Sequence, residues 1–264
     1  MDQTRRVLRA DDGVDISYVV IPGGEPAVVI LHGLAGSGRE FVSTARALSG
    51  RKIILVDQRG HGWSTRLPSD TSRAAFVGDV VSVMDREASS PVHLVGHSMG
   101  AHTAMLAAVA RPDLVRTLVL LECGEGSGND QEHASIGEYF RSWPVPFADR
   151  AAAAEFLGDG PLHRAWVEDM EHREDGLHPR FDPEVMVAAI TPLAEPRWQE
   201  WSRVQAPTLV VYAAGGMFSE EQKTRFVERG SDVTRVDLAG GSHDAHLDAF
   251  EQWIEALTRF LDVR

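Results

Sequence analysis

Val92-His93-Leu94-Val95-Gly96-His97-Ser98-Met99-Gly100 joins an apolar run to a glycine-flanked serine, and the fold class follows from that junction. Val92 to Val95 has the length and composition of a buried strand, and Met99 to Arg111 has helical character until Pro112 stops it. Ser98 then sits on a sharp strand-to-helix turn, flanked by Gly96 and Gly100. The bare pattern G-x-S-x-G would arise by chance in roughly 0.15 places in a chain of this composition, so the context carries the reading. A Cβ at either glycine would crowd the neighbouring strand and helix. The serine hydroxyl, by contrast, points out of the sheet beside a helix N-terminus, whose free N–H groups favour negative charge.

Short apolar runs recur at Ala27 to Leu31, Ile53 to Val56, Leu118 to Leu121 and Leu209 to Tyr212, with longer segments such as Phe76 to Arg86 between them. Near-continuous hydrophobicity suits strands covered on both faces, and the alternation predicts a mostly parallel sheet with helices on either side. Arg5 to Arg9 and Val14 to Val20, joined by Asp11-Asp12-Gly13, read as an antiparallel hairpin. Val233 to Leu238 closes a sheet of eight strands before a helix from Leu247 to Leu261. The rhythm breaks at Gly124 and resumes after Trp201. This interval is rich in proline, holds four of the six tryptophans and lacks strand-like runs, so a helical cap is expected. The expected division is a core of residues 1–123 and 202–264, with a cap at 124–201.

The 264 residues are 43% hydrophobic, enough to bury one large core. A net charge of -13 sets up a field that repels phosphate backbones and anionic lipids, so no nucleic-acid or membrane partner is expected. Cys123 is the only cysteine, and Met1 to Arg6 contains no apolar leader, so a cytoplasmic location is expected. No apolar run reaches the roughly 18 residues of a membrane span.

Two further motifs follow successive strand ends: His32-Gly33-Leu34 and Asp57-Gln58-Arg59-Gly60-His61-Gly62-Trp63-Ser64. In this order HG-x-x-G, D-x-R-G-x-G-x-S and G-x-S-x-G resemble the α/β-hydrolase family, over nearly the whole chain apart from the cap. The resemblance implies the α/β-hydrolase fold, a Ser–acid–His triad, and an oxyanion hole built from the backbone N–H groups of Leu34 and Met99. His32 and the Asp57 to Ser64 stretch read as braces for the surrounding loops, not as reacting groups.

A serine hydroxyl needs a neighbouring base. Gly240-Gly241-Ser242-His243 lies after the last strand, in a loop that can reach the elbow. The resemblance selects His243 as the base, with His246 as an alternative better suited to packing or capping. The acid departs from the common family pattern. That pattern places an Asp beyond the strand Leu209 to Tyr212, but here Ala213-Ala214-Gly215-Gly216-Met217-Phe218 follows. Haloalkane dehalogenases and zearalenone lactonases resemble this chain in carrying the acid one strand earlier. Glu122, directly after Leu118 to Leu121, is therefore the expected acid, with Glu220 or Glu221 as the alternative.

The expected activity is hydrolysis of a carboxylic ester or lactone through an acyl-enzyme on Ser98. The alternatives are a carbon–carbon bond hydrolase, a cofactor-free haloperoxidase, or a low-turnover small-molecule receptor. Trp143, Phe147, Trp166 and Met217 are expected to line a pocket for an uncharged, moderately hydrophobic substrate. No cofactor is expected. Nor is a metal, because His172-Arg173-Glu174-Asp175-Gly176-Leu177-His178 matches no standard zinc spacing. Gly124-Glu125-Gly126-Ser127-Gly128 reads as the hinge into the cap.

Overall fold

A computed structural model of the chain describes residues 3–126 and 128–264. Met1 and Asp2 of the N-terminal stretch, and Ser127 of the expected hinge, lie outside the described residues. The eight sheet strands are β1 (Thr4–Arg9), β2 (Asp15–Ile21), β3 (Gly24–Leu31), β4 (Arg51–Val56), β5 (Val92–His97), β6 (Val115–Leu121), β9 (Thr208–Gly215) and β10 (Val233–Ser242). Their spatial order is β1-β2-β4-β3-β5-β6-β9-β10. β1 pairs antiparallel with β2, and β2 with β4, while every later pairing is parallel.

The continuous apolar runs are explained by a period-two partition between two hydrophobic layers. In β3, Val29 and Leu31 face one cluster while Val28 and Ile30 face the other. In β6, Leu118 and Leu120 are split from Val119 and Leu121 in the same way. One layer includes residues of α2 (Arg73–Glu87) and α3 (Met99–Ala110). The other includes residues of α1 (Val42–Ala47) and α11 (Phe250–Asp262). The expected single C-terminal helix is broken: α10 (Ala245–Asp248) precedes α11, with Ala249 between them at φ -124° and ψ 39°. Gly241 presses on this break so closely that a Cβ there would lie 2.7 Å from the Ala249 Cβ.

Between β6 and β9 come α4 (Asp130–Arg141), α5 (Arg150–Leu157), α6 (Pro161–Asp169) and α7 (Pro183–Ile190). The segment also holds a two-stranded hairpin of β7 (Glu171–Arg173) and β8 (Gly176–His178). Strands of three residues are too short to show an alternating pattern, so the sequence reading missed them. The hairpin absorbs the His172 to His178 run, in which His178 Nε2 meets Asp175 Oδ1 at 2.8 Å. The segment's far end also differs from expectation. Trp201, on the short helix α8 (Trp198–Trp201), stacks on Phe226 of α9 (Glu220–Glu228) and donates its indole N–H to the Phe226 carbonyl. Trp198 and Trp201 thus pack with the sheet core and not with the cap helices.

Burial pulls several histidines well below their ordinary 6.5: His32, His93 and His246 to about 4, and His61 and His102 to about 3. The unfolded chain therefore takes up protons near pH 6.5 that the folded chain refuses, and stability falls as pH drops from 6.5 towards 4. Glu40, raised to about 8, and Asp169, raised to about 6, act in the opposite sense but are outnumbered. Thermal melting should give a lower Tm at pH 5 than at pH 7.5; an equal or higher value contradicts this account.

Candidate active site

Ser98 lies at the junction of β5 and α3 with φ 53° and ψ -119°, a left-handed backbone that costs a non-glycine residue about 1–3 kcal/mol. The surroundings hold it there. The Ser98 N–H donates to the Leu121 carbonyl at 3.0 Å. A Cβ on Gly96 would meet the Gly100 oxygen at 2.4 Å, and one on Gly100 would meet the His32 oxygen at 2.4 Å. Glycine is therefore required on both sides of the serine for the steric reason argued from the sequence.

Glu122 follows β6 directly, also in a left-handed conformation (φ 52°), with only 1% of its surface exposed. Its Oε1 accepts the Ala213 N–H and its Oε2 the Met217 N–H, both at 2.8 Å. His243 Nδ1 lies 3.4 Å from Oε2. The diglycine where the commoner acid would stand has a matching role. A Cβ at Gly216 would fall 2.1 Å from Glu122 Oε1, so that position must be empty for the carboxylate to enter. Glu220, the alternative acid, is exposed on α9 and engaged with Lys223 and Arg235.

His243 sits in the turn after β10, and its carbonyl accepts a hydrogen bond from His97 Nε2 at 2.9 Å. Burial, the largest cause, and the neighbouring His246 and His243 keep the His97 ring well below its ordinary range, so it is neutral and donates from Nε2. His246 is stacked on Phe41, with ring centroids 4.3 Å apart and planes 6° off parallel. It is not among the described residues that line the cavity beside Ser98.

The loop after β3 is set by His32. The ring's Nδ1 donates to the Gly33 carbonyl at 2.7 Å and its Nε2 accepts from the Gln58 N–H at 3.0 Å. Because C=O and N–H point opposite ways across a trans peptide, this fixes the Leu34 N–H on the side away from His32. Met99 is the first residue of α3, so its N–H has no intrahelical partner. Asp57 accepts the Gly38 and Trp63 N–H groups, and Arg59 forks onto Asp79 at 2.7 and 2.8 Å. The two sequence motifs brace the loops, as expected.

Ser98, Glu122 and His243, together with Leu34 and Met99, line one cavity of about 210 Å³. Of the four expected substrate-binding residues, Met217 lines it. Trp143, Phe147 and Trp166 do not. They turn towards Phe140, Phe181 and one another in the cap's own cluster, with the Trp143 and Trp166 rings 5.4 Å apart. Large rings fill a helical layer better than they wall a small cavity. The walls instead carry Ile136, Leu162, Ile190 and Leu193 from the cap, and Phe218 beside Met217. Sequence reading passed over these aliphatic residues because an inward face and a pocket-facing face have the same helical spacing.

With the elbow, the parallel sheet and the three strand-end motifs in place, comparison with known proteins assigns the class. The alpha/beta hydrolase family profile matches residues 28–256, and the chain belongs to that family. An sn-1-specific diacylglycerol lipase of Xenopus tropicalis is 26% identical over 268 residues, covering 94% of this chain and 82% of that protein. The sn-1-specific diacylglycerol lipase of Mus musculus is 43% identical over 112 residues, 40% of this chain and only 36% of that protein. Among solved structures, an E-2-(acetamidomethylene)succinate hydrolase superposes with a TM-score of 0.89 at 22% identity, covering 99% of this chain and 100% of that one. The chain is a hydrolase.

Three donors converge on two Glu122 oxygens, and an amide offers only one acceptor. Glu122→Gln should therefore lower kcat by about 10⁴-fold through a misplaced imidazole. Glu220→Ala should leave kcat within about twofold, since surface charges far from the reacting groups contribute little. Gly216→Ala should reproduce much of the Glu122→Gln defect in a folded protein. Near-wild-type turnover in both Glu122→Gln and Gly216→Ala would remove the carboxylate from the reaction.

Proposed function

We propose that the protein hydrolyses an uncharged, moderately hydrophobic carboxylic ester or lactone through an acyl-enzyme on Ser98. The observation that carries this reading is the shared cavity. Ser98 and His243 line it, Glu122 meets His243 there, and the cap contributes four aliphatic side chains to its walls.

In this reading the Ser98 Oγ attacks the substrate carbonyl carbon while the second imidazole nitrogen of His243 takes its proton. Glu122 accepts the Nδ1–H, fixes the tautomer and stabilises the imidazolium. The Leu34 and Met99 N–H groups receive the oxyanion, each contributing about 3–4 kcal/mol to transition-state stabilisation. The tetrahedral intermediate collapses, and the proton passes from His243 to the departing alkoxide. Water, deprotonated by the same imidazole, then cleaves the acyl-enzyme and returns Ser98 to its free form. A lactone follows the same steps, its alcohol remaining tethered to the acyl group.

The cavity's size and charge narrow the substrate. It is smaller than the roughly 300–1,000 Å³ typical of sites for drug-sized ligands, which favours a short acyl group. No Lys or Arg is among the described lining residues, whereas the carboxyl groups of Glu40, Glu122 and Asp244 are. An acyl chain bearing a carboxylate would meet carboxyl groups with no cation to pair with. The succinate in the structural neighbour's name is a dianion, and this cavity does not suit one.

A turnover screen tests the proposal. Uncharged short-chain esters and lactones should be cleaved at least tenfold faster, in kcat/KM, than analogues carrying a terminal carboxylate. Ser98→Ala should lose about 10⁶-fold in kcat. Turnover surviving in that variant, or cleavage of amides with esters untouched, would refute the assignment.

A further inference from the structure

Behind the candidate base lies a group of side chains that the hydrolytic reading does not use: His97, His246 and Asp244, with Glu40 beside them. One ligating atom from each of His97, Asp244 and His246 lies within 4.8 Å of the others. His97 Nε2 is 3.8 Å from Asp244 Oδ1, the two imidazole rings are 4.5 Å apart, and Glu40 Oε2 is 3.6 Å from His246 Nε2. We propose that His97, His246 and Asp244 form a binding site for a divalent transition-metal ion of the zinc class, and that its occupation arrests the hydrolase.

The buried nitrogens supply an independent argument. His246 is 1% exposed, and neither of its ring nitrogens has a hydrogen-bond partner. His97 is 2% exposed, and its unpartnered Nδ1 can take the ring proton when Nε2 is to ligate. Buried side-chain polar atoms are almost always satisfied, and leaving one without a partner costs about 1–3 kcal/mol. An imidazole with both nitrogens unpartnered and a carboxylate beside it therefore suit a ligand that accepts electron pairs, and His97 joins them once its ring proton moves to Nδ1. Two nitrogens and one oxygen favour zinc, copper or nickel over calcium or magnesium, which prefer oxygen alone. Access exists, because Glu40, His97 and Asp244 all face the cavity that holds Ser98. A zinc ion about 2.0–2.1 Å from each ligand wants them about 3.3 Å apart, so the cluster must contract by about an ångström or somewhat more. Glu40 or water can fill the fourth position.

The contraction has a defined effect on the base. His97 Nε2 carries the proton it donates to the His243 carbonyl. To bind the ion through Nε2 the ring must move that proton to Nδ1, and the hydrogen bond holding the His243 backbone is lost. Asp244, the residue after His243, is drawn in at the same time. The metal thus acts on both supports of the His243 main chain without touching its imidazole. Only the inhibitory half of the proposal rests on the hydrolytic reading; binding can be measured without turnover.

The test uses full-length protein without a polyhistidine tag, stripped of metal with a chelator. In Ser98→Ala, zinc binding is measured by competition with a chromophoric chelator, and cobalt binding by visible absorption. One equivalent should bind. His246→Asn and Asp244→Asn, each introduced into that background, should each weaken affinity at least tenfold, while His178→Asn, on the cap hairpin, should not. With Ser98 intact, zinc should suppress hydrolysis, EDTA should restore it, and zinc should inhibit His246→Asn at least tenfold less effectively, judged against that variant's own metal-free rate. Should His246→Asn not fold, Asp244→Asn decides the binding arm. Failure of the wild type to bind stoichiometrically, or undiminished binding in the folded variants, overturns the site. Binding without loss of turnover overturns the arrest. A protein that cleaves no ester but binds one zinc refutes the hydrolytic reading and leaves the site standing.

Discussion

The carboxylate of Glu122 ties three separate parts of the chain to one point. It belongs to the end of β6, it receives N–H groups from the end of β9 and the turn after it, and His243 approaches from the end of β10. A carboxylate with 1% exposure must be met by donors, and the backbone of residues 213–217 supplies them at fixed positions. The requirement runs both ways. Gly216 has to be glycine because the carboxylate occupies the space of its Cβ, and the turn that presents Met217 to the cavity is shaped by the same bond.

A second set of contacts does for the loop after β3 what Glu122 does for His243. His32 is neutral through burial and joins the Gly33 carbonyl to the Gln58 main chain, while the Gln58 side chain returns to the His32 carbonyl at 2.7 Å. Arg59 is 2% exposed, and it is anchored by Asp79 and Asp12. The polar residues of these motifs therefore act on peptide planes, and they bear on the cavity only through where those planes point.

The sheet was legible in the sequence because a strand buried on both faces leaves an unmistakable apolar run, and all eight strands stand where such runs or their turn signals fall. Ser98 was legible from the glycines that its steric setting demands. The placing of Glu122 beside His243 could be inferred from a gap, since residues 213–218 contain no carboxylate. The cavity walls were not legible. Aromatic residues in a cap look like pocket residues in one dimension, and only packing reveals that Trp143, Phe147 and Trp166 satisfy one another. The partnership of His97 with the His243 carbonyl spans 146 residues of sequence separation, and no local pattern announces it.

That the cap keeps its large rings for itself separates two tasks that many binding sites combine. Cohesion of the layer resides in an aromatic cluster that includes Phe140, Trp143 and Phe181, whereas the surface presented to a substrate is made by four aliphatic side chains on its inner side. Changing those four alters the shape offered to a bound molecule while leaving the rings of the cluster in place. The layer can thus be retuned for a differently shaped ligand with its aromatic cluster kept.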